Sequence, residues 1–117
     1  MQIPDIDRFV QDWVQAWNAH DVEAVLAHCR DDVVFTSPVA ARVVLQSGGV
    51  IRGKEALREY WQAALASFPG LHFELVATYV GTEAIVINYR NQLGRLVNEV
   101  LIFDGARVRE GHGTYLE

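Results

Sequence analysis

Ile6, Phe9, Val10, Trp13, Val14 and Trp17 recur at the three- and four-residue spacing that lays them along one face of a helix, with Asp7, Arg8, Gln11, Gln15 and Asn18 on the other. Asp5, directly after Pro4, is placed to cap its start, and the helix is expected to end at Asn18-Ala19-His20. Asp21 can then cap a second helix whose apolar stripe is Val22, Val25, Leu26 and Cys29. Two helices therefore meet at a tight corner. Val33, Val34 and Phe35 follow as a short strand, ended by Pro38, which cannot donate to a ladder.

A third helix is predicted from about Lys54 to Phe68, carrying Ala56, Leu57, Tyr60, Trp61, Ala64, Leu65 and Phe68 and stopped by Pro69-Gly70. Beyond it the period changes to two. Leu71, Phe73, Leu75, Ala77 and Tyr79 alternate with His72, Glu74, Val76 and Thr78, predicting a strand with one strongly apolar face. Turns at Gly81 to Glu83, Leu93-Gly94 and Asp104-Gly105 separate three further strands, Ala84 to Asn91, Leu96 to Phe103 and Arg107 to Tyr115. Four strands joined by short turns make an antiparallel meander. Its apolar face must be covered, and the three helices ahead of it are the material available, so an α+β two-layer domain spanning residues 1–117 is expected.

Half of the 117 residues are apolar, enough for one core and too few for two. Fifteen acidic residues against ten scattered basic ones give a net charge of −5, which would repel a phosphate backbone and argues against nucleic acid as a partner. The single cysteine, Cys29, cannot form an internal disulfide and reads as a small buried hydrophobe in a reducing compartment. Met1 to Arg8 lacks the apolar run of a signal peptide, and no stretch approaches the ~20 apolar residues of a membrane helix, so no membrane partner and a cytoplasmic location are expected.

The Asn18-Ala19-His20-Asp21 corner after a tryptophan helix, the strand Asp31 to Pro38 (DDVVFTSP), the helix start Gly53 to Trp61 (GKEALREYW) and the hairpin Phe103 to Val108 (FDGARV) occur in this order through nearly the whole chain. In that order and spacing the chain resembles the nuclear transport factor 2-like superfamily, which includes ketosteroid isomerases and the SnoaL-like polyketide cyclases. The resemblance implies a cone-shaped, strongly curved, mainly antiparallel sheet wrapped over the helices, enclosing an apolar pocket, with the outer sheet face often used for dimerisation. Carried over residue by residue, the isomerase base falls on Ser37, which is no base at neutral pH. The oxyanion-hole tyrosine falls on Trp13, the supporting tyrosine on Trp61 with Tyr60 beside it, and the oxyanion-hole aspartate on Glu99. Steroid isomerisation of that kind is therefore not expected.

Trp13, Trp17, Phe35, Trp61 and Tyr115 would supply aromatic walls for a small apolar or aromatic molecule, although a helical aromatic stripe is equally what any packed core needs. Period two places Glu99 with Val97, Leu101 and Phe103, so its carboxyl is expected to face inward with a raised pKa, as suits a general acid; a carboxylate at a sheet edge, or one paired with an arginine such as Arg90, is the structural alternative. Ser37, Asn88 and Tyr60 are the candidate orienting groups. His112 lies between Gly111 and Gly113, which leave room for something to approach the backbone, yet alternation sets it on the face opposite Tyr115. The four histidines form no zinc motif, and no metal or cofactor is implied.

Gly48 to Glu55 has the glycine and lysine spacing of a P-loop, but Glu55 occupies the place of the Mg²⁺-binding hydroxyl and would repel a phosphate. Val39 to Arg52 reads instead as an apolar flap or hairpin beside the pocket mouth. Two functional classes stay open. One is a small cofactor-independent enzyme of isomerase or cyclase type, using Glu99 in proton transfer. The other is a non-catalytic ligand-binding or dimerisation module; a transport adaptor is a third class that nothing in the chain singles out. A homodimer is expected, since strands 84–91 and 96–103 are apolar on both faces.

Overall fold

Asp5 opens the first helix, α1 (Ile6–Asn18), its carboxylate accepting from the Arg8 amide at 3.1 Å. The computed structural model describes residues 5–117, so Pro4 and the rest of the Met1–Pro4 end, which bore on the cap and on the absence of a leader, lie outside the described residues. Phe9, Val10, Trp13, Ala16 and Trp17 are the buried stripe of α1. His20 takes a left-handed conformation with φ 57°, turning the chain so that Asp21 caps α2 (Val22–Leu26) through the Ala24 amide. The corner also acts at a distance. The Asn18 side chain holds both backbone groups of Phe73, donating to its carbonyl at 3.0 Å and accepting from its amide at 2.7 Å, and the His20 ring meets the Leu71 carbonyl at 2.9 Å.

α2 is shorter than the apolar spacing predicts. Cys29 does not sit on its stripe but begins the next strand, β1 (Cys29–Thr36), because the ladder takes over at His28, whose carbonyl accepts from the Val108 amide. Cys29 is still buried, and burial pushes its thiol up to about 12, so it is inert. The flap reading of residues 39–52 is half corrected. Ser37 caps a helix, α3 (Pro38–Val43), accepting from the Val39 amide at 3.1 Å, and Pro38 stands at the helix start, where a missing N–H costs nothing. A single 3₁₀ turn (Leu45–Ser47) and the left-handed Gly48 and Gly49 then lead into β2 (Val50–Arg52), which pairs antiparallel with β1.

α4 (Lys54–Ser67) buries Leu57, Tyr60, Trp61 and Ala64. The meander follows as β3 (Glu74–Val80), β4 (Ala84–Arg90), β5 (Leu96–Asp104) and β6 (Arg107–Tyr115). The predicted apolar face of the first of these strands does not form. β3 starts later, its register shifts between Leu75 and Ala77, and Leu75, Val76, Tyr79 and Val80 are exposed on the sheet edge. The six strands run β2-β1-β6-β5-β4-β3; all pairs are antiparallel except β1 with β6. The α+β reading is right, with α3 as an additional helix. The sheet curls over the helices without closing, β2 and β3 being its edges.

Inward residues follow period two: Ile85, Ile87 and Tyr89 on β4, and Val97, Glu99, Leu101 and Phe103 on β5. On β6 the inward positions include Gly111 and Gly113, and neighbouring side chains fill the space above them. A Cβ on Gly111 would lie 2.9 Å from the Phe35 ring and 3.2 Å from Leu101, so bare backbone there is what lets the β1 and β5 side chains meet.

Candidate functional site

Between α1, α4 and the curled sheet the aromatic packing leaves a cavity of about 150 Å³. Helical side chains Trp17, Tyr60 and Trp61 form one wall, and Phe35, Phe73, Tyr89 and Tyr115 come from the sheet side. The rings brace one another. Trp61 meets Trp17 at 5.0 Å and Phe35 at 5.6 Å edge to face, and Phe73 stacks on Tyr89 at 3.9 Å. Asn18 matters here because its grip on the Phe73 backbone sets where that ring enters the wall.

The polar atoms of the cavity are few and converge. Ser37 at the end of β1 and Glu99 in the middle of β5 approach from either side of Gly113, which pairs with Glu99 in the ladder. A Cβ on that glycine would come within 3.4 Å of Ser37 Oγ and 3.5 Å of Glu99 Oε2. What the glycines of β6 admit is therefore these side chains. Ser37 Oγ already accepts from the Val39 amide, leaving its O–H as a donor.

Glu99 is 4% exposed and has no ion pair among the described residues. Burial raises its pKa to about 7, and the Trp13 indole is the group that opposes the rise. The indole N–H makes no hydrogen bond of normal geometry among the described residues, and it acts on the carboxyl as a nearby donor that favours the ionised form. Burial likewise raises Tyr60, Tyr89 and Tyr115, keeping all three as neutral donors, with Ser37 partly opposing this at Tyr60 and Tyr115. A carboxyl whose pKa burial raises to about 7, among phenols that stay protonated, can give or take a proton near neutral pH. Among the described residues no three metal-binding side chains come together.

Of the residues singled out from sequence, Trp17, Phe35, Ser37, Tyr60, Trp61, Glu99 and Tyr115 line this one cavity. Two do not. Trp13, one turn back along α1, is packed among Phe9, His28 and Trp61 behind the wall. Asn88 is on the outer face of β4, where its amide donates to the Asn98 side chain at 2.8 Å; alternation along β4 sends Ile87 and Tyr89 inward and Asn88 out. His112 also faces outward, bonded to Thr36 Oγ1 at 2.7 Å and Glu110 Oε1 at 3.0 Å. Arg90 donates to the Gly94 carbonyl and does not pair with Glu99. Sequence reasoning missed Arg42, Phe73, Tyr89 and Arg95 as lining residues. Tyr89 was accessible from its alternation with Ile85 and Ile87; Arg42 was hidden inside the segment read as a flap.

Residues 10–111 match the SnoaL-like domain family. The fold superposes with a TM-score of 0.88 on a SnoaL-like protein of unknown function from Burkholderia thailandensis, 38% identical, over 95% of this chain and 93% of that one. A candidate polyketide cyclase from Sinorhizobium meliloti superposes at 0.78 with 14% identity, over 97% of this chain and all of the other. An NTF2-like protein of unknown function from Cytophaga hutchinsonii superposes at 0.73 with 12% identity, over 99% and 93%. No curated protein is significantly similar to the chain. No helix among the described residues is long and apolar enough to cross a membrane.

Proposed function

The chain belongs to the SnoaL-like domain family within the NTF2-like superfamily, and from that premise we propose that it binds a small ring compound and moves a proton on it through Glu99. The observation that carries this reading is the placement of one buried, unpaired carboxyl beside Ser37 on the wall of an otherwise aromatic cavity. In its protonated form Glu99 donates to a carbonyl oxygen and stabilises the enol; in its ionised form it accepts a proton from the adjacent carbon. Ser37 and Tyr60 hold the oxygen in place. Trp17 Nε1 has no hydrogen-bond partner among the described residues, so it offers a further donor to an acceptor in the cavity.

The cavity volume limits the ligand. About 150 Å³ is the space of a single benzene-sized ring, well short of the several hundred Å³ that a polycyclic molecule occupies. Ring ketones of that size should quench or shift tryptophan emission saturably, because Trp17 and Trp61 stand on the wall. In D₂O the parent protein should exchange the protons next to the carbonyl, and Glu99→Gln should lower that exchange by ~10²-fold or more while binding persists. If emission responds but exchange is absent in the parent, the chain is a binder without catalysis. That second reading is favoured by Ser37 standing where a base would be. If no ring compound changes the emission, the cavity is closed core and the binding proposal fails.

We also propose that the outer sheet face pairs two copies of the chain. Val86, Val100 and Ile102 are only half-buried there, next to Asn88 and Asn98, and Tyr79 of the edge strand extends the same face. Light scattering at tens of micromolar is expected to return twice the chain mass. A monomer mass would rule the pairing out.

A further inference from the structure

The walls of the cavity carry a sign of charge opposite to that of the whole chain. Arg42 of α3 and Arg95 just ahead of β5 both line it, and among the described residues the only carboxylate that does so is buried Glu99, in a protein of net charge −5. Arg30, Arg58 and Arg109 are each engaged by carboxylates. Arg42 and Arg95 have none among the described residues; the Arg95 Nε donates to the Leu116 carbonyl at 3.3 Å, and its guanidinium stands 5.1 Å from the centre of the Tyr115 ring. Both side chains are exposed, so they sit at the mouth while the rings sit within. Their fields converge. Burial and the Glu99 carboxylate raise the Tyr115 phenol, Ser37 opposes the rise, and so do Arg42 and Arg95.

Resting on the reading of the cavity as a ligand pocket, we infer that its ligand is a single-ring acid, held with the ring among Trp17, Phe35, Trp61 and Phe73 and its anionic group at Arg42 and Arg95. The reverse orientation would bury a carboxylate against Glu99 and apolar walls, where neither charge has a partner. An organic cation, which an aromatic cage alone would suit equally, is repelled by the two guanidinium groups. Carboxylate recognition by Arg is bidentate and leaves the ring orientation defined, which places the ring's inner edge toward Ser37 and Glu99.

The test compares benzoate, benzamide and benzamidinium, which share a ring and differ in charge, by tryptophan emission and calorimetry at about pH 6, where Glu99 with its pKa near 7 is mostly protonated. Benzoate should bind about 10-fold tighter than benzamide and benzamidinium more weakly than either, with the benzoate advantage shrinking as salt is added. Arg42→Gln with Arg95→Gln should bring benzoate down to the level of benzamide. Arg42→Lys with Arg95→Lys, which keeps the charge, should retain most of the preference and guards against a mere packing defect at Tyr115. Equal or weaker binding of benzoate relative to benzamide in the parent overturns this inference and leaves the pocket standing. Absence of any response to all three overturns the pocket reading itself, and this inference with it.

Discussion

Glu99→Gln is expected to melt on the order of 10 °C above the parent protein at pH 8 and level with it near pH 4. Burial raises the Glu99 pKa to about 7 in the folded chain, while in the unfolded chain it titrates at its ordinary value of ~4.3. Between those values the native state holds a proton that the unfolded state has released, so the contribution of Glu99 to stability falls as pH rises through that window. Above the folded value both states are ionised and the full cost of about 4 kcal/mol is present. Below the unfolded value both are protonated and the cost is gone. A glutamine carries no titrating proton, and every other titrating group is common to the two proteins, so the difference between them isolates this carboxyl. Calorimetric melting of both proteins across this pH range is the measurement. Parallel curves at all pH values would mean that Glu99 is solvated, and the proton-transfer proposal would lose its basis.

Trp13→Ala should cost about 3–5 kcal/mol of stability by urea unfolding, the range for deleting a large buried aromatic. The indole is 1% exposed and its rings contact Phe9 at 5.7 Å and His28 and Trp61 at 6.2 Å, so no neighbour can collapse into the space without disturbing the others. Trp13→Phe separates packing from polarity. It keeps most of the volume but removes the N–H that holds Glu99 down, so the Glu99 pKa, followed by NMR, should move further above 7. An unchanged pKa in Trp13→Phe would show that the indole dipole does not reach the carboxyl. Ligand contact, by contrast, should depend on Trp17 and Trp61, which face the cavity.

Periodicity was a good guide wherever one face of an element is buried and the other is wet. α1, α4 and strands β4 to β6 lie within a residue or so of their predicted ends, and the inward setting of Glu99 and the outward setting of His112 both follow from period two. The failures have different causes. Asn88 has the residue type of an orienting group, but its alternation with Ile87 and Tyr89 sets it on the outer face. Trp13 and Trp17 share a helical face, and only the packing of α1 against α4 decides which of them borders empty space. α3 escapes the pattern because Val43-Val44-Leu45 reads as strand, and Pro38, which with Ser37 starts the helix, reads equally well as a strand end. At the sheet edge, apolar alternation continued through β3 although nothing covers Leu75 or Tyr79, since pattern alone does not say where the helical layer stops.

The parallel pairing of β1 with β6 sets when the cavity comes into existence. It joins Thr36 to His112 and so brings Ser37 beside Gly113 and Glu99 only after the chain between them has been ordered. Closing a loop of that length before any contact is gained is the slow part of folding such a topology. The four helices, the β1–β2 pair and the β3–β5 meander can all assemble from neighbours in sequence; the wall that holds the polar groups cannot. Saturable quenching of Trp17 and Trp61 by a ring compound would therefore serve as a clock for the last step of folding, rising later in a refolding experiment than helical circular dichroism does.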